Sequence, residues 1–136
     1  MSQTEDRHEA ERWLITAEED LQAAKALQQA GMYAHACFLS QQCGEKAIKA
    51  VWHLIGEEPW GHSIQRLVMQ FPKPELFTER ENWLHRAASL DKFYIPTRYP
   101  NGLPDLPPGQ SYFAKDAEQA IELAAFFLEA AREYLS

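Results

Sequence analysis

One arginine, two tyrosines and two prolines crowd into Leu90 to Pro100, which reads Leu-Asp-Lys-Phe-Tyr-Ile-Pro-Thr-Arg-Tyr-Pro. Pro96 and Pro100 lack backbone donors and push Ile95 and Tyr99 away from helical angles, so the chain must leave its helix near Tyr94 and run extended past Arg98. A stiff segment of that kind holds a guanidinium at a fixed place and angle. The planar fork of donors then suits a phosphate or a carboxylate. The simpler alternative is an arginine that ties a loop to a helix carboxylate.

A second group lies upstream. Gln41, Glu45 and Lys49 form an i, i+4 row beside Gln42 and Lys46, with Glu45 preceding Lys49 in the favourable ion-pair order. Read alone, this is a solvated helix face. If the extended run folds back over the helix, Lys46, Lys49, Arg98 and His62 line one groove, with Tyr94 and Tyr99 offering faces on which a base stacks. The remaining chemistry is sparse. The five histidines (His8, His35, His53, His62 and His85) form no His-Glu-x-x-His helix and no Cys-His set, so neither a metal nor any other cofactor is expected. No Gly-x-Ser-x-Gly elbow or Gly-rich phosphate loop occurs.

The elements that must position these residues are helical. Trp13, Leu14, Ala17, Leu21, Ala24 and Leu27 recur at threes and fours between about Glu5 and Ala30, and Gly31 supplies a stop. A second helix runs from about Met32 to Ile55 with a stripe of small residues, ending at Gly56, so the first two form a hairpin. A short helix follows over Ser63 to Phe71, with Ser63 as its N-cap. Thr78 and Glu81 fit a capping box that opens a helix leading into the central stretch. Asn101 to Gly109 is expected to be an exposed loop, because prolines and glycines exclude a helix there. The last helix, about Tyr112 to Tyr134, carries a wide apolar face that implies a central place in the bundle. No segment alternates like a strand. The expected fold is all-α, an up-and-down bundle of four to five helices in a single domain over residues 1–136.

Composition narrows the function. The 136 residues suffice for one core, and a formal charge of -7 argues against broad binding to a polyanion such as DNA while leaving room for a local basic pocket. Cys37 and Cys43 stand about 240° apart at ~100° per residue, so they do not bridge and read as reduced thiols. The polar, acidic N-terminus is unlike a signal peptide, and no apolar run approaches the ~20 residues of a membrane span. A soluble, cytoplasmic protein is expected.

Together, Gln-Gln-Cys-Gly-Glu-Lys-Ala-Ile-Lys-Ala (41 to 50), Gly-His-Ser-Ile (61 to 64), the run from Leu90 to Pro100, and Asp-Ala-x-x-Ala (116 to 120) resemble the HEPN (higher eukaryotes and prokaryotes nucleotide-binding) family. The similarity extends from about Ala10 to Leu135, and Tyr-Ile-Pro-Thr-Arg-Tyr-Pro points to one prokaryotic branch. The resemblance implies a helical bundle that pairs as a symmetric homodimer. It also implies a minimal nucleotidyltransferase partner, a pairing that can act as toxin and antitoxin. Many members are metal-independent ribonucleases with an Arg, four to six residues, then His. Arg98 matches the arginine, but the matching positions hold Leu103, Pro104 and Asp105. None of the three can replace imidazole near neutral pH, although Asp105 can act as a weak base. The leading expectation is therefore a nucleotide- or RNA-binding protein. The alternatives are an endoribonuclease that recruits His62 to work with Arg98, and a structural dimerisation or adaptor module.

Overall fold

The computed structural model describes residues 2–94 and 105–136, so Arg98, Tyr99, Leu103 and Pro104 lie outside the described residues. Five α-helices are present among them: α1 (Gln3–Gln29), α2 (Tyr33–Leu54), α3 (Ile64–Met69), α4 (Arg80–Asp91) and α5 (Ala114–Leu135). Single 3₁₀ turns occur at Pro74–Leu76 and Pro108–Gln110. There is no strand among the described residues, and no described helix is long and apolar enough to cross a membrane.

Local chemistry sets most of the boundaries. The Ser2 hydroxyl accepts from the Glu5 amide at 3.1 Å and starts α1, with Glu5 and Asp6 on the positive end of the helix. At the other end Gly31 turns left-handed at φ 77°, which lets Met32 N–H reach Leu27 C=O (2.8 Å) and Gly31 N–H reach Gln28 C=O (3.1 Å). That pair of bonds closes α1 and reverses the chain into α2. The same geometry closes α2 at Gly56, where Glu57 N–H meets Trp52 C=O at 3.1 Å. Ser63 caps α3 as its position predicts, accepting from the Arg66 amide.

Two details depart from the sequence reading. Thr78 and Glu81 do not form a capping box. Glu79 takes a left-handed conformation (φ 56°, ψ 44°) and serves as the N-cap of α4 with no side-chain bond, because a box needs an extended cap residue. The second departure concerns the centre of the bundle. It is α2, buried at 15 of its 22 residues, with α1 against one side, α5 against another and the α3–α4 pair closing the rest. Small side chains on α2 allow that approach. Gly44 lies under Leu90, Ile64 and Phe127, while Ala36, Ala47 and Ala50 are fully buried. A chain of rings (Trp52, Phe71, Phe77, Trp83, Phe127) then ties α2 through α3 and α4 to α5.

Candidate functional site

The row Gln41, Glu45, Lys49 does not form a solvated face. All three side chains are buried, Gln41 completely, because α3 and the end of α4 cover one flank of α2 and α1 covers the other. Glu45 and Lys49 form an ion pair at 3.0 Å with side chains only 4% and 10% exposed. Two charges withdrawn from water at this depth need close pairing and further partners to offset the lost hydration. They have them. Lys49 Nζ sits 5.5 Å from the Trp13 ring of α1, which in turn stacks on His53 at 5.3 Å. On its other side Glu45 meets His62, whose Nδ1 lies 3.3 and 3.4 Å from the two carboxylate oxygens.

His62 precedes α3 and is the exposed member of the group, with 62% of its side chain in solvent. Its ring stacks on Tyr94 at 5.2 Å and 16° between planes, and Tyr94 leans on Phe38 of α2 at 6.2 Å. A rigid platform results, with an imidazole edge and a phenol ring at the surface above a buried ion pair.

A network of neutral and acidic groups holds the platform in place. Asp91, the last residue of α4, accepts from Ile64 N–H and Gln65 N–H (2.9 Å each), from Ser63 Oγ (3.0 Å) and from Gln41 Nε2 (3.2 Å). The Gln41 amide also donates to the His62 carbonyl at 2.9 Å, and its own oxygen accepts from Gln42 at 2.8 Å. One carboxylate thus caps α3 from outside and fixes α4 and α2 to the loop that carries His62. It also lies three residues before Tyr94.

Of the residues singled out in the sequence, the structure brings Lys49, His62 and Tyr94 together through Glu45. Lys46 is directed elsewhere. Its ammonium binds Asp20 of α1 at 2.7 Å, and its stem lines a shallow cleft of about 470 Å³ with Arg12, Trp13, Ile15 and Thr16. Both lysines are therefore countered by carboxylates. Asp105 is exposed in a left-handed conformation (φ 67°), which short acidic side chains tolerate. Arg98 and Tyr99 lie outside the described residues. Sequence reasoning missed Asp91, Gln41 as a buried anchor, and the partners Asp20 and Trp13. Their signal is weak because each acts across elements far apart in the chain. Among the described residues no group of three or more His, Cys, Asp or Glu side chains stands close enough to hold a metal ion.

A helical bundle built on a central helix, with a carboxylate, a lysine and a histidine gathered at its middle, defines a class of small all-α domains with one polar site. The particular family follows from direct comparison: the HEPN domain model matches residues 10–134, and the chain belongs to the HEPN family. Putative toxin MJ1304 of Methanocaldococcus jannaschii is 30% identical over 133 residues, covering 93% of this chain and 88% of that protein. Among solved structures, TT1696 from Thermus thermophilus superposes with a TM-score of 0.87 at 38% identity, covering 92% of this chain and 97% of that one. ST0689, an archaeal HEPN homologue, gives a TM-score of 0.75 at 36% identity, covering 93% and 98%.

Proposed function

We propose that this protein is a nucleotide- or RNA-binding member of a toxin–antitoxin pair, working in the cytoplasm as a symmetric homodimer with a minimal nucleotidyltransferase as partner. The observation that carries the reading is the stacked pair of His62 and Tyr94, a surface platform held from beneath by Glu45 and from behind by Gln41 and Asp91. Flat, rigid, partly exposed rings of this kind suit stacking against a base. Arg98, four residues beyond Tyr94, is the anion anchor in this reading. The similarity to a protein named as a toxin supports the toxin–antitoxin setting.

The test is binding of a labelled single-stranded RNA, followed by anisotropy at fixed salt. Arg98→Ala is expected to weaken binding by a charged hydrogen bond's worth, on the order of 1.5–3 kcal/mol, with the fold intact. Arg98→Lys restores only part, because a point charge lacks the planar fork. Wild-type protein that binds neither RNA nor nucleotide but still captures the nucleotidyltransferase would make it an adaptor instead.

A second reading, a metal-independent endoribonuclease using Arg98 and His62, is favoured by one feature: the imidazole of His62 meets a buried carboxylate. The positions at which the family motif calls for histidine hold Leu103, Pro104 and Asp105.

A further inference from the structure

The immediate surroundings of His62 hold its ring in one orientation. Glu45 is buried and, when ionised, can only accept hydrogen bonds, so the Nδ1 that faces both of its oxygens carries the proton. Nε2 is then the nitrogen with a free lone pair. The ring face is fixed by Tyr94, and the residue's own carbonyl is fixed by Gln41. Lys49 counters the charge of Glu45 from the far side, so the carboxylate remains an acceptor without leaving a net buried charge. With 62% of the side chain exposed, a ligand lying on the Tyr94 platform has access to the imidazole.

A carboxylate that sets the tautomer and angle of an imidazole whose other nitrogen is accessible is the arrangement that general acid–base catalysis uses. We propose that His62 is a proton-transfer residue toward the ribose of a bound RNA strand, and that Glu45 is its positioning residue. The proposal rests on the reading that RNA binds at this platform. In the step it performs, His62 Nε2 takes the proton of a 2′-hydroxyl as that oxygen forms a bond to the adjacent phosphorus. The bond from phosphorus to the 5′-oxygen breaks, and the leaving oxygen takes a proton from solvent. The products are a 2′,3′-cyclic phosphate and a 5′-hydroxyl. Nothing is oxidised or reduced, and no water is consumed.

The experiment uses the full chain, a 5′-labelled single-stranded RNA in buffer containing EDTA, and the same strand with 2′-deoxyribose throughout as an uncleavable analogue. Wild-type protein is expected to release 2′,3′-cyclic phosphate ends. His62→Ala is expected to lower the rate by about 10²–10⁴-fold while leaving affinity for the analogue unchanged, and added imidazole restores part of the rate. Glu45→Gln lowers it too, because an amide can donate to Nδ1 and shift the proton to Nε2. His85→Ala, on an exposed part of α4, leaves it unchanged. If RNA is bound by the wild type but not cut, the proposal falls and the binding reading stands. If RNA is not bound at all, both fall. Loss of cleavage in a folded His62→Ala protein with no rescue by imidazole assigns His62 a structural role and also overturns the proposal. Should Glu45→Gln unfold, as followed by circular dichroism, the imidazole rescue alone decides.

Discussion

Gly44 of α2 and Leu90 of α4 are packed so closely that a Cβ on Gly44 would lie 2.7 Å from Leu90 Cδ2, with Ile64 Cδ1 of α3 at 2.8 Å. Both neighbours are fully buried, so neither can swing aside into solvent. Gly44→Ala gains up to about 1 kcal/mol of helix propensity but overpacks this contact, at a cost of roughly 1–3 kcal/mol. A net loss of about 1–2 kcal/mol in urea unfolding is expected. A more stable variant would mean that α3 and α4 slide readily along α2.

Asp91 answers to four donors, and its removal leaves the α3 amides and the buried Gln41 amide short of a partner. Asp91→Ala is expected to cost about 2–3 kcal/mol, combining a lost cap with an unsatisfied buried donor. It also frees the His62 carbonyl's anchor to move. The His62 ring resonances in an NMR spectrum should therefore shift in the variant, even under conditions where it remains folded.

Alkaline pH should destabilise the protein through its buried thiols. Burial, the main cause, pushes Cys37 and Cys43 each up to about 12, with Asp116 and Asp20 respectively adding to it. In the unfolded chain a thiol loses its proton near pH ~8.5, so between that value and about 12 the unfolded state binds fewer protons and stability falls as pH rises. Each cysteine contributes up to about 1.4 kcal/mol per pH unit in that window. Urea unfolding from about pH 9 to 11 should show a shallower decline in Cys43→Ala by about that amount. An unchanged slope would show that the thiol titrates as freely in the folded chain as in the unfolded one.

Ile15, Trp60 and Phe113 remain 56%, 78% and 66% exposed, apolar surface that symmetric pairing can cover. The protein is expected to elute and scatter light as a dimer at micromolar concentration. A monomer under those conditions would remove the homodimer from the proposed function.

The sequence showed more of the fold than of the site, and particular residues explain why. Gly31 and Gly56 end their helices through bonds only a few residues long, and Ser63 caps α3 in the same local way, so each could be read from its neighbours. The pairing of Glu45 with Lys49 was equally legible from its i, i+4 spacing, but its burial was not. Nothing within one helix indicates that α1 and α3 will cover both flanks of the row. Asp91 reads in sequence as an ordinary acidic residue near a helix end, because its partners lie 26 to 50 positions away. The expected capping box at Thr78 failed for the opposite reason: the local pattern was present, and the left-handed turn at Glu79 overrode it.

Because α3 has six residues, it is too short to persist as a helix on its own in water. Its first amides are satisfied from the far end of α4 rather than by the segment itself. The chain therefore cannot order these parts one after another as it leaves the ribosome. Residues 61–69 must wait for Asp91 to be synthesised and docked before His62 takes its place above Glu45, so the imidazole platform is the product of a late, long-range step in folding. Any variant that slows the docking of α4 will yield a nascent protein whose long helices have already paired while its surface site is still unmade.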